Sequence, residues 1–208
     1  MTDTLSSSML KRPRQERAMR TFDLVLTSAV ILLEKDGFDK LTTNAICKHA
    51  GLTPPALYRY FPNKYAVLRE LGERLMQVQN LDYFRWQDKY ADVLPDADSI
   101  AQLIRSQYDV TCAQRGAKWI MRSLHSVPEL AEVRTTSHAY VADKMAAPFR
   151  HQKVAWDEKT LQRRCRIMVE TSYAVLEMLL DERSEDVDAI CQDTGRLIAG
   201  FMDDIRPD

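Results

Sequence analysis

The stretch from Leu41 to Lys64 constrains this chain more than any other. Thr42 or Thr43 can cap a helix whose apolar positions are Ala45, Ile46 and Ala50, and Gly51 can take the left-handed conformation that ends it. After a turn, Thr53 falls at a second cap and Pro54 at a first helical position, where a missing N–H costs nothing. Leu57 and Phe61 then form an inward i, i+4 pair. Tyr58, Arg59 and Tyr60 are left on the outer side. Pro62 closes this helix and Asn63 caps the next, which has Lys64 in its first turn. Two short helices around a Gly-centred turn, with polar donors at each start, make a helix-turn-helix of the kind that meets a DNA backbone.

Upstream, Phe22, Val25, Leu26, Ala29, Leu32 and Leu33 recur at helical spacing, and Gly37-Phe38 ends that helix before the two short ones begin. Three helices can therefore share one small core. From the Ala29 to Phe38 ending through Thr42-Thr43, Ile46, Ala50-Gly51, Thr53, Leu57-Tyr58, Tyr60-Phe61 and Asn63-Lys64, the chain resembles the TetR family of bacterial transcriptional regulators. The resemblance spans about residues 17 to 70. Pro55-Ala56-Leu57-Tyr58 also looks like the recognition helix of the tetracycline repressor.

The chain has 208 residues, 45% of them hydrophobic, with only six Gly and no sustained β-branched alternation, which favours an all-α fold. No run of about 18 apolar residues suggests a membrane span, and Met1 to Ser8 lack the apolar core of a secretory signal, so a cytoplasmic protein is expected. Cys47, Cys112, Cys165 and Cys191 form no C-x-x-C pair and read as buried, reduced thiols. His125, His138 and His151 are thirteen residues apart, so no two share a helical turn, and neither a metal site nor a cofactor is expected. Net charge is −1, but residues 1–70 hold eleven Lys/Arg against seven Asp/Glu, while the remainder holds 18 against 23. The positive field lies with the motif, as phosphate attraction requires.

The chain divides into three regions. Residues 1–15, with Ser6-Ser7-Ser8 and Lys11-Arg12-Pro13-Arg14, read as a flexible basic arm, either a solvated tail or a segment that touches DNA. Residues 16–65 form the helix-turn-helix head. Residues 66–208 form a helical bundle, the expected ligand-binding and dimerisation domain. It opens with a long helix carrying Tyr65, Leu68, Leu71, Leu75 and Val78, and a loop at Leu94 to Asp98 precedes a helix capped by Ser99 or Asp98. Gly116 and Pro128 divide the next stretch into a short helix and a longer one ending near Phe149, with Pro148 marking its limit.

Two helices close the chain, one from about Asp157 to Asp181 and one from about Glu185 to Ile205, joined by Glu182-Arg183-Ser184 as an antiparallel pair. Leu161, Cys165, Met168, Val175, Leu176 and Leu179 form the apolar stripe of the first. Ile190, Thr194, Leu197, Ile198 and Phe201 form that of the second. The resemblance implies that these stripes meet a two-fold mate in a four-helix bundle, making a homodimer whose heads sit about one DNA turn, ~34 Å, apart.

Thr43, Thr53, Tyr60 and Lys64 are the candidates for phosphate contact, which fixes register, and the resemblance implies the same use of these positions. Base edges fall to Asn44, Pro54, Pro55, Ala56, Tyr58 and Arg59. Three of these are small and apolar, which suits thymine methyl groups, and Asn44 suits adenine. In the bundle, Trp86, Tyr90, Tyr108, Trp119, Met121 and Met145, with Phe149, Met168, Tyr173 and Met178 further on, supply the rings and thioethers of a pocket for a small-molecule effector. Tyr108, Arg122 and His125 are candidates for its polar contacts. No Gly-rich phosphate loop, H-E-x-x-H or G-x-S-x-G occurs, so no enzyme is expected. The expected function is a transcriptional repressor released from a palindromic double-stranded operator by its effector, the alternatives being a ligand-dependent activator or a helical interaction module without DNA binding.

Overall fold

A computed structural model describes residues 12–90, 94–151, 156–182 and 186–202. Among these, helices carry the fold and no strand occurs: α1 (Glu16–Lys40), α2 (Thr43–Ala50), α3 (Pro54–Tyr58), α4 (Lys64–Lys89), α5 (Ala97–Cys112), α6 (Ala117–Ser126), a 3₁₀ turn at Pro128–Leu130, α7 (Ala131–His151), α8 (Glu158–Asp181) and α9 (Val187–Gly200). Residues 1–11 of the expected arm, residues 183–184 of the last connection and the end of the last helix beyond Met202 lie outside the described residues.

Each boundary has a local cause. Gly37 (φ 76°) breaks the α1 helix where the sequence places its end, and the Leu41 amide then donates to the Phe38 carbonyl at 3.1 Å. Of the two candidate caps for α2, Thr42 serves: its Oγ1 accepts from the Ala45 amide at 3.1 Å. Asn63 does the same for α4 through Ala66 at 2.9 Å. The α5 cap falls earlier than Asp98 or Ser99, at Asp96, whose carboxylate accepts from the Ser99 amide at 2.8 Å. Pro148 lies inside the last turn of α7. Without an N–H it cannot bond the Lys144 carbonyl four residues back, and Gln87 Nε2 donates to that carbonyl instead at 3.0 Å.

The head core gathers Phe22, Val25, Leu26, Ala29 and Leu33 of α1 with Leu41, Ile46, Leu57 and Phe61, closed by Val67 and Leu68 of α4. Phe22 and Phe61 meet at a ring separation of 4.6 Å. At 26 residues, α4 is about 39 Å long. Its Leu71, Leu75 and Met76 carry the head core on into α6, and Tyr83 joins a second core formed with α5, α7, α8 and α9.

α9 lies chiefly along α5, with only a minor contact to α8, so the expected hairpin is splayed. The approach is close because Gly195 sits over Ala97 and Ala101, and Arg105 of α5 pairs with Asp188 of α9. Cys47, Cys165 and Cys191 are buried, and burial pushes the Cys165 thiol up to about 12. Cys112, expected inside, is exposed at the end of α5. No helix among the described residues is long and apolar enough to cross a membrane.

Candidate functional site

Because Leu57 and Phe61 are fully buried, the opposite side of α3 is turned outward. Gly51 (φ 64°) ends α2 in the left-handed region, which folds α3 back beside it. Thr43 of α2 and Tyr58 of α3 then meet across the turn, hydroxyl to hydroxyl at 3.0 Å, and Tyr58 is 49% exposed. Asn44, Thr53, Pro54, Pro55 and Arg59 are exposed around this pair, and Ala56 is half-buried. Thr53 occupies the position before α3, yet its side chain makes no capping hydrogen bond, so the amides of Ala56 and Leu57 use its carbonyl instead.

Two other predicted residues are held inward. Tyr60 packs edge-on against Phe22, with ring centroids 5.9 Å apart. Lys64 Nζ lies 4.0 Å above the Phe38 ring and donates to the Phe38 carbonyl at 3.4 Å. Lys48, absent from the sequence-based set, is exposed one turn after Asn44; its i, i+4 spacing from Asn44 was the available signal. Arg12, at the end of the basic arm, lies 3.1 Å from the buried Glu70 carboxylate. Glu70 also pairs with Arg74, which reaches Asp23 at 2.9 Å, so this network ties the start of the chain and α1 to α4.

A second feature lies in the bundle. Two adjoining hollows, with cavity volumes of about 50 and 70 Å³, share Tyr83, Leu103, Met145 and Ser172. Of the residues expected at a pocket, Trp86, Met145, Phe149, Met168 and Tyr173 border these hollows. Tyr108 and Trp119 pack against the core without lining them. Arg122 and His125 stand elsewhere, bordering an outer groove, where they pair with Asp181 at 2.8 Å and Glu177 at 3.3 Å. Periodicity did not single out Asn80 or Gln107, which with Ser172 on the inner stripe of α8 supply polar atoms here from three different helices. Behind Tyr173 the buried His138 ring stacks at 3.9 Å, and its Nδ1 lies 3.1 Å from Glu170. Burial outweighs the carboxylate and lowers His138 to about 4, which leaves the ring neutral. Burial alone would raise Glu170, but Arg166, Arg134 and His138 once protonated hold it below the usual carboxylate range.

The stripes expected at a dimer interface divide. Leu161, Cys165, Met168, Leu176, Leu179, Thr194 and Ile198 are buried within the protomer's own core. Val175, Ile190 and Phe201 are half-buried, while Leu197 is 64% exposed. Ile167 and Met178 are exposed on the outer side of α8, and Ile167, Thr171, Leu197 and Phe201 line an open groove between α8 and α9.

Residues 25–71 match the model of a family of bacterial regulatory proteins, the tetR family. The match covers α2, α3 and the parts of α1 and α4 that flank them. Over 69 residues the chain is 33% identical to the nucleoid occlusion factor SlmA of Actinobacillus pleuropneumoniae, which is 33% of each chain. The match thus spans about a third of this curated relative. Whole TetR-type folds also superpose. FadR of Bacillus subtilis, solved in complex with stearoyl-CoA, gives a TM-score of 0.66 at 13% identity, covering 86% of this chain and 98% of that one. FadR of Thermus thermophilus, a TetR-family repressor in complex with lauroyl-CoA, gives 0.61 at 19% identity, covering 90% and 97%. The TetR arrangement of an amino-terminal helix-turn-helix and a carboxy-terminal helical domain therefore describes the whole fold.

Proposed function

We propose that this chain is a DNA-binding transcriptional regulator that acts as a homodimer, a repressor leaving a palindromic operator when a small molecule enters the bundle. The observation that carries the reading is the outward face of α2 and α3, where Asn44, Thr53, Pro55 and the Thr43–Tyr58 pair are accessible on a TetR-type head. Thr43 and Thr53 fit phosphate contact, and Tyr60 and Lys64 join them by turning away from Phe22 and from the Phe38 carbonyl, the latter a long and replaceable bond. Pro54, Pro55, Ala56 and Tyr58 offer apolar edges to thymine methyls, with Asn44 facing adenine and Arg59 at the margin.

A second copy is required because one short helix reads too little sequence and a symmetric operator needs two heads. The apolar groove of Ile167, Thr171, Leu197 and Phe201 favours α8 and α9 as the meeting face. The inner hollows support an effector site, and the two FadR proteins of like fold were solved with acyl-CoA. Release follows if the effector binds better to a head spacing that misfits the operator.

The test is fluorescence anisotropy of the full chain on duplex fragments from upstream of its own gene, against a shuffled duplex. Expected is a preference for one symmetric site with A·T pairs in its half-sites, and affinity falling steeply and linearly in log–log with salt. Equal affinity for native and shuffled duplexes would overturn the proposal.

A further inference from the structure

We infer that the inner hollows take an uncharged, mainly apolar molecule and discriminate against its anionic and cationic counterparts; this rests on reading the hollows as the effector site. Their walls contain no Lys, Arg, Asp, Glu or His among the described residues. Rings and thioethers dominate, notably Tyr83, Trp86, Phe149, Tyr173, Met145 and Met168. Such a lining adapts to an apolar body but offers an ion no opposite charge in exchange for its water.

The few polar groups are already engaged. Asn80 and Ser137 bond each other at 3.1 and 3.2 Å. Gln107 Nε2 donates to the Gln79 carbonyl and to Asp82, at 2.9 and 2.8 Å. Ser172 donates to the Met168 carbonyl at 2.9 Å, and Gln87 to that of Lys144. What remains is acceptor capacity on Ser172 Oγ and Gln107 Oε1 beside the O–H groups of Tyr83 and Tyr173, a mixed set that suits a neutral hydroxyl or amide on the ligand. Burial raises the Tyr83 and Tyr173 phenols, so neither becomes an anion at neutral pH.

The charges one layer further out favour neither ion. Asp82 lies behind Gln107 and already accepts from Ser106 at 2.9 Å. Glu170, beside Tyr173, is matched by Arg134 and Arg166. An anion entering the hollow would face these carboxylates with no cation on the wall, and a cation would find Glu170 already paired with two arginines and Asp82 held behind Gln107.

The test uses three probes that share one ten-carbon chain and differ only at the head: 1-decanol, decanoate and decylammonium, each below its aggregation limit at pH 7. Affinity for the full-length protein is read by calorimetry, and the site by ¹³C-methyl methionine spectra, in which Met145 and Met168 report the hollow and the exposed Met19 serves as control. Decanol is expected to bind at least tenfold more tightly than either ion, about 1.4 kcal/mol, and to move Met145 and Met168 but not Met19. If decanoate or decylammonium matches decanol while moving Met145 and Met168, the assignment of ligand class is overturned and the effector site stands. If no probe binds, or binding leaves both methyl signals unmoved, the site reading falls with it.

Discussion

Gly195→Ala is the substitution whose effect the helix geometry fixes most tightly. On an exposed helix this change adds about 1 kcal/mol of stability, because Ala loses less backbone freedom on folding. Here the new methyl would stand 2.3 Å from the Ala97 carbonyl oxygen and 3.0 Å from the Ala101 amide nitrogen. Both belong to the α5 backbone, which has no rotamer to change. A carbon and a carbonyl oxygen settle at about 3.3 Å or more, so α9 must retreat by roughly 1 Å. Overpacking of this kind costs about 1–3 kcal/mol, which cancels the gain and leaves a net loss of up to about 2 kcal/mol, or a fall in Tm of up to roughly 8 °C. Gly72→Ala is the matched control, because its methyl meets the Leu124 side chain, nearest at 2.6 Å, which can turn. Urea unfolding followed by circular dichroism, with all variants at one protein concentration, measures the difference. A Gly195→Ala protein more stable than the parent by the full amount of about 1 kcal/mol that an open helix would give would refute the claim that backbone contact sets the α5–α9 spacing.

Thr42→Ala removes the acceptor of the Ala45 amide and should cost about 1 kcal/mol in urea unfolding, with Thr42→Ser restoring most of it. For His138, the folded value of about 4 lies below the unfolded ~6.5, so only the unfolded chain takes up this proton between those limits. Its contribution to stability is therefore complete above about pH 6.5 and declines by up to about 3 kcal/mol as pH falls to 4. His138→Gln should flatten that slope in urea midpoints, and an identical slope in both proteins would contradict the assignment. Leu197→Glu places a carboxylate on a side chain 64% exposed, so the fold should persist. If α8 and α9 pair two copies, sedimentation should show the parent at twice 24.0 kDa and this variant at 24.0 kDa.

The head was legible because its signals are local. Thr42, Gly51, Pro54 and Asn63 act on backbone groups within three or four residues, so their spacing alone sets the boundaries of α2, α3 and α4. Thr53 marks the limit of such reasoning: its position was right, but its own carbonyl serves the α3 amides and the hydroxyl does not. The bundle was less legible because periodicity identifies an apolar face without naming what covers it. Leu161, Cys165 and Leu176 have the spacing of an interface stripe, yet neighbouring helices of the same protomer bury them. Gly195 gave no warning of a helix crossing, since a small residue acquires that meaning only from Ala97 and Ala101, over ninety positions earlier. Asn80, Gln107 and Ser172 share a hollow through the arrangement of three helices, which no spacing within one helix could express.

One helix connects the two halves of the proposed mechanism. Val67 and Leu68 of α4 are locked into the head core, while Tyr83 and Trp86 of the same helix border the hollows. About fifteen residues separate these groups, which is roughly 22 Å of helix with no proline and a side-chain cap at its start. A tilt of only about 5° at the hollow end would therefore displace the head end by about 2 Å. The head cannot absorb such a tilt by bending at α1, because buried Glu70 joins Arg12 and Arg74 and Arg74 joins Asp23. Breaking that buried carboxylate from its partners would be costly, so head and lever move as one body. Space taken beside Tyr83 must then be found by displacing α5 and α8 or by turning α4, and only the second changes what the head presents to DNA.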